Sequence, residues 1–99
     1  MYKLESWRQA KKFLSNNKCS NNLNKFLIDK LEELAKDPEK GIPLVGNLRG
    51  FWSLHLIYFG VEYRIFYYIS QGDNRIVVCC IGNREEAYEK FKRLVANKY

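Results

Sequence analysis

Cysteine, histidine and proline are all scarce in this chain of 99 residues, with three, one and two copies respectively. Cys79 and Cys80 are adjacent, Cys19 stands alone, and no Cys-x-x-Cys pair occurs. With a single histidine beside them, these thiols lack the count and spacing of a zinc site. They read as small buried hydrophobes in a reducing cytoplasm, with strand alternation pointing Cys79 and Cys80 to opposite faces. No apolar run approaches the roughly 20 residues of a membrane span. The opening MYKLESWRQAKK is charged at once and has no apolar h-region, so no signal peptide is expected. Low-complexity stretches, linkers and internal repeats are also missing. Acidic side chains are the last shortage: 11 against 17 basic ones leave a net charge of +6. That balance favours a polyanionic partner such as nucleic acid, an acidic protein or a lipid surface, the alternative being an ordinary basic soluble protein.

What is present describes one domain spanning 1–99, with 46% hydrophobic and 15% aromatic residues, enough for a modest core. Tyr2 to Glu5 alternates as a first strand. Ser6-Trp7-Arg8-Gln9 has the form of a capping box opening a short helix to about Leu14, which Asn16-Asn17-Lys18 breaks. Ser20 or Asn21 caps a second helix whose apolar residues Leu23, Phe26, Leu27, Leu31, Leu34 and Ala35 fall on one 3.6-residue stripe. Asp37-Pro38 ends it. Beyond Gly41 the period changes to two. Phe51 to Tyr58, Val61 to Ile69 and Arg75 to Ile81 read as strands, with a further short strand near Leu44 to Leu48. Asn83 is placed to cap a last helix with Ala87, Phe91, Leu94 and Val95 on its apolar side. The order β-α-α-β-β-β-α predicts an α+β fold: a small twisted antiparallel sheet, an N-terminal helical hairpin on one face, and a C-terminal helix.

Arg64 interrupts VEYRIFYYI, a run otherwise suited to a buried strand, and a guanidinium is rarely buried without a partner. A loop centred on Gly60-Val61 would set Tyr58 opposite Tyr63 and Ile57 opposite Arg64. Leu54, Leu56, Tyr58, Tyr63, Ile65 and Tyr67 would then share the core face. Ser53, His55, Ile57, Arg64, Phe66 and Tyr68 would share the other, with His55 diagonal to Arg64. An arginine, a histidine and aromatic rings on one open face suit a phosphate with a stacked base. The plainer alternative pairs Arg64 with Glu62 or an acidic helix residue and leaves His55 a surface residue.

Four pieces in order carry a resemblance: LEELAKDP, PLVGNLRGFWSL, YRIFY and IGNREEAY. Together they resemble the RelE/ParE superfamily of toxins from type II toxin–antitoxin pairs. The resemblance implies a twisted sheet with a helical hairpin and a cytoplasmic protein. It further implies a cognate antitoxin partner, contact with operator DNA only through that antitoxin, no membrane, and no metal or cofactor. RelE-branch members cleave messenger RNA in the ribosomal A site by attack of the 2′-hydroxyl on the adjacent phosphate. ParE-branch members poison DNA gyrase, and a degenerate member would only bind its antitoxin. Position by position, Arg64 falls on the family's sheet arginine, Arg84 on the arginine of the G-x-R turn, and Tyr88 on the tyrosine four residues later. These three, with His55, are the candidate catalytic residues of an mRNA-cleaving endoribonuclease. Arg49, Ser53, Phe66, Lys11 and Lys12 are the candidate RNA contacts. Two departures stand out. Ser53 and His55 occupy strand positions that are basic in RelE-type enzymes, and Asn83 precedes Arg84 where histidine or lysine is frequent.

Overall fold

The computed structural model describes residues 1–15 and 20–98, so the expected break at Asn16-Asn17-Lys18 and the lone Cys19 lie outside the described residues. In chain order the elements are β1 (Lys3–Ser6), α1 (Arg8–Ser15), α2 (Asn21–Lys36), β2 (Ile42–Pro43), β3 (Phe51–Tyr58), β4 (Val61–Ser70), β5 (Arg75–Asn83) and α3 (Arg84–Lys98). Short 3-10 turns lie at Pro38–Lys40, Gly46–Leu48 and Gln71–Asp73.

Local chemistry explains most of these boundaries. Ser20 caps α2, its hydroxyl accepting the Leu23 N–H at 3.1 Å, and Pro38 follows the helix end at Lys36. The capping box at the first helix does not form, because Ser6 stays in β1 and α1 opens at Arg8. Gln9 is used elsewhere. Its side-chain amide donates to the Ile81 carbonyl at 3.0 Å and accepts the Ile81 N–H at 2.9 Å. It thereby satisfies the β5 edge just beyond the last residue that β1 reaches, where backbone groups would otherwise lack partners.

The sheet order is β1-β5-β4-β3-β2. The α+β class is as expected, with one difference in the sheet: β1 joins β5 in parallel, while the other neighbours are antiparallel. The short second strand is Ile42–Pro43 against Trp52 and Ser53, and Gly46–Leu48 turns as a 3-10 helix where a strand was expected. The β3–β4 loop has only two residues, Phe59 and Gly60, with φ of 49° and 79°. Positive φ at both positions marks the type I′ hairpin turn, whose twist suits the flanking strands. Tyr58 therefore faces Val61, and His55 faces Arg64 directly. The expected register was two residues off. An even slip leaves every side chain on its expected face.

Two clusters fill the faces. Between the helices and the sheet, Ala10 of α1 and Leu23, Leu27, Leu31 and Leu34 of α2 meet Leu56, Ile65, Tyr67, Ile76, Val78 and Ile81. Between α3 and the sheet, Ala87 and Phe91 of the helix meet Phe66, Cys79 and Cys80, flanked by Trp7, Phe51, Tyr68, Leu94 and Val95. The expectation that Cys79 and Cys80 point apart is corrected by a bulge. Phe66 pairs with Cys80 and Tyr67 with Val78, so Cys79 is the extra residue and both thiols enter the α3 cluster. Burial pushes the Cys80 thiol up to about 11, which keeps it protonated and unreactive. Tyr67 ties the segment after α2 to the sheet. Its hydroxyl donates to the Pro38 carbonyl at 2.7 Å and accepts the Gly41 N–H at 3.1 Å. Among the described residues no helix is long and apolar enough to cross a membrane.

Candidate functional site

Strand β5 passes into α3 with no loop between them: Asn83 is its last residue and Arg84 the first of the helix. Helix α3 can fold back this tightly because position 82 lacks a side chain. A Cβ on Gly82 would stand 3.2 Å from that of Ala87, tighter than side chains ordinarily pack. In the β4–β5 register Tyr63 faces Asn83 and Arg64 faces Gly82. The start of α3 is therefore placed beside the Glu62–Arg64 end of β4. Asn83, expected as a helix cap, stands immediately before the helix and is the exposed last residue of the strand.

At this corner Arg64, Arg84, Glu85, Tyr88 and Glu89 line one open cleft of about 360 Å³. Arg64 Nε donates to Glu62 Oε2 at 3.2 Å, and Arg84 Nε lies 4.0 Å from the same oxygen. The Arg64 side chain is 21% exposed and that of Arg84 65%, so one guanidinium is held in the wall and the other reaches into water. Tyr88 stands at the rim with the Lys92 ammonium 4.9 Å over its ring. His55, opposite Arg64, is held below its ordinary value of 6.5, first by desolvation and then by the Arg64 charge; Glu62 opposes the shift and Arg84 adds to it. A depressed value keeps the imidazole neutral, the form able to accept a proton. The arrangement can neutralise a phosphoryl group and place a base close by.

The other expected contacts are dispersed. Phe66 is 1% exposed and stacks on Phe91 with ring centroids 4.5 Å apart, so it has no face for a base; α3 covers a sheet face expected to be open. Ser53 is 2% exposed between β2 and β4, which removes it as a ligand contact. Lys11 and Lys12 are exposed on α1, across the sheet from the cleft. Arg49 lines a separate hollow of about 370 Å³ with Asn47, Gly50, Phe51, Tyr68 and Val95, near the far end of α3. The plainer expectation, that Arg64 pairs with Glu62, is met by the structure. Sequence reasoning missed Glu85 and Glu89 in the cleft lining, though their spacing puts them on one exposed helix flank. Among the described residues no group of three or more His, Cys, Asp or Glu side chains is gathered to hold a metal ion.

A mixed five-stranded sheet with α1 and α2 on one face and α3 on the other makes this a small α+β domain. The family described as ParE toxin of type II toxin-antitoxin system, parDE, matches residues 4–88, and the chain belongs to it. It is thus the toxin of a type II toxin–antitoxin module of the RelE/ParE superfamily. The fold is similar to that of a RelE toxin mutant of E. coli in the free state, with a TM-score of 0.72 at 20% identity over 95% of this chain and 97% of that one. It is also similar to a chain of the RelBE2 toxin–antitoxin complex of Mycobacterium tuberculosis, with a TM-score of 0.72 at 21% identity over 84% and 98% of the two chains. A third similar chain comes from an E. coli RelE mutant in complex with an antitoxin RelB peptide, with a TM-score of 0.66 at 22% identity over 90% and 92%. No curated protein matches the sequence.

Proposed function

We propose that this toxin is a metal-independent endoribonuclease that cuts messenger RNA on the ribosome, silenced by a cognate antitoxin that wraps its basic surface. One observation carries the reading: Arg64, Arg84 and Tyr88 line a single cleft, with His55 in register opposite Arg64. In the reaction the 2′-hydroxyl loses its proton to neutral His55, and the O2′–P bond forms. Charge growing on the phosphoryl oxygens is met by Arg64 and Arg84, whose forked donors stay charged. The P–O5′ bond breaks and the 5′-oxygen takes up a proton. The products are a 2′,3′-cyclic phosphate and a 5′-hydroxyl. Tyr88 stacks the neighbouring base or passes the proton to the leaving oxygen.

A second reading, poisoning of DNA gyrase, is favoured by a specific feature. Glu62, Glu85 and Glu89 put three carboxylates around two guanidiniums. The matching family is also described by its ParE member. Expression without antitoxin separates the two readings. Under the ribonuclease reading, growth and translation stop and primer extension reveals new 5′ ends inside coding regions. Continued translation with gyrase-linked DNA breaks would establish the second reading in its place. With purified protein and message-bound ribosomes, the cleavage rate should fall as pH drops through the depressed His55 value, because only the neutral ring accepts the proton. A rate that does not fall at any pH at which the protein stays folded would remove His55 as the base.

A further inference from the structure

The oxygen that joins the two arginines belongs to the protein itself. Glu62 Oε2 lies 3.2 Å from Arg64 Nε and 4.0 Å from Arg84 Nε, so one carboxylate oxygen makes both of the approaches expected of a phosphoryl oxygen. The three side chains differ in freedom: Arg64 is 21% exposed, Glu62 30% and Arg84 65%. Glu62 is one residue from the β3–β4 turn, at the rim of the sheet, where its side chain can swing toward solvent while Arg64 stays in the wall. We propose that Glu62 is a built-in counter-anion: it occupies the phosphate position between Arg64 and Arg84 in the empty toxin and is displaced when a phosphodiester enters. The proposal rests on the reading of this cleft as a phosphodiester site.

Charge balance favours an exchange. Two guanidiniums brought together without an anion repel each other, and a singly charged carboxylate holds them in place until a singly charged phosphodiester takes over. Glu85 and Glu89 line the same cleft, so an anion arriving while Glu62 remains would meet three carboxylates. A phosphodiester therefore gains full contact with the arginines only once the Glu62 carboxylate has moved aside. A purely structural strut makes the opposite forecast: removing it would disorganise Arg64 and Arg84 and weaken anion binding.

The test compares wild type with Glu62→Gln, which keeps the shape and removes the charge, and with Glu62→Ala as a second neutral variant. Equilibrium binding is measured at low salt with two probes, inorganic pyrophosphate and an RNA oligonucleotide carrying 2′-deoxyribose throughout its cleavable positions. Cleavage of messenger RNA on purified ribosomes and thermal unfolding are followed in parallel. The expected result is about tenfold tighter binding of both probes by Glu62→Gln, with the gain lost in the Glu62→Gln/Arg64→Ala double variant. Unchanged or weaker binding by both neutral variants, with wild type still binding and cleaving RNA, overturns the counter-anion and leaves the ribonuclease reading standing. Tighter binding without RNA cleavage by any protein supports the counter-anion and overturns the ribonuclease. Failure of wild type and both variants to bind either probe overturns both.

Discussion

The sheet face under α1 and α2 and the face under α3 come from the same strands, residue alternating with residue, yet they are covered differently. The first is roofed by a 16-residue helix together with α1, and its buried residues are aliphatic apart from Tyr67, with aromatic rings only at its partly exposed edge. The second meets α3 through Ala87 and Phe91, with Leu94 and Val95 beside them, and its cluster is largely aromatic and thiol. Because α3 starts directly at the end of β5, it covers the middle of its face and leaves the corner at His55, Glu62 and Arg64 only partly enclosed. Charge survives on the second face where the roof begins. The first face should therefore answer to substitutions in stability, and that corner in activity.

Leu34→Ala on the first face is the severest way to test that division. Leu34 is fully buried, and truncating it should destabilise the fold by about 2–5 kcal/mol through lost burial and a residual cavity. Denaturant unfolding measures the loss. Activity per folded molecule should stay at the wild-type level, and a large drop there would mean the two faces are not independent.

Arg64→Ala inverts the pattern. Its pair with Glu62 is partly exposed, so stability should change by no more than about 1 kcal/mol. Under the ribonuclease reading, RNA cleavage should fall on the order of a hundredfold or more, since that reading makes Arg64 a preorganised contact to transition-state charge. Arg64→Lys should restore only part of it, because lysine lacks the fork. A protein that unfolds, or one that is stable and fully active, would show Arg64 to be structural or idle.

Tyr67→Phe returns to the first face with a smaller effect. The change strands the Pro38 carbonyl and the Gly41 N–H, a loss of about 1–3 kcal/mol seen in thermal unfolding with cleavage per folded molecule unaltered. An unchanged melting temperature would mean that water replaces the hydroxyl.

How far the sequence carried these distinctions depended on the range of the interaction. The stripe Leu23 to Ala35, the Ser20 cap and the two-residue alternation of β3 and β4 are local, and each predicted its element and the face of each strand residue. The pairing of β1 with β5 joins residues about seventy positions apart, and nothing in Lys3–Ser6 announces its parallel sense. The bulge at Cys79 could not be read from a pattern assuming strict alternation. The same limit affected the site. Arg64, Arg84 and Tyr88 were legible one by one, and their shared cleft follows from the β4–β5 register. Phe66 and Ser53 were misplaced because the docking of α3 onto their face is a tertiary fact. Glu62 was legible as a partner for Arg64, but its approach to Arg84 depends on where α3 begins and was not.

Phe59 belongs to neither face and should give the smallest effect, with the opposite sign. It is 90% exposed at the hairpin tip with φ of 49°, a left-handed conformation that a bulky residue adopts at a penalty of roughly 1–2 kcal/mol. Its ring recovers part of that by an edge-to-face contact with Tyr58 at 4.7 Å, worth about 0.5–1.5 kcal/mol. Asparagine tolerates the left-handed region, and Asn-Gly is the preferred pair for this turn. Phe59→Asn should therefore stabilise the fold by a few tenths to about 1 kcal/mol, seen as a higher midpoint in denaturant. Because the turn keeps its length, the His55–Arg64 register is retained and RNA cleavage in the purified system should not change. If stability rises while cellular toxicity falls, the exposed ring is a contact to another macromolecule, and the strain at position 59 is retained for that contact. If stability falls, the Tyr58 contact outweighs the backbone strain, and the tip belongs energetically with the first face, where Tyr58 packs against Phe26.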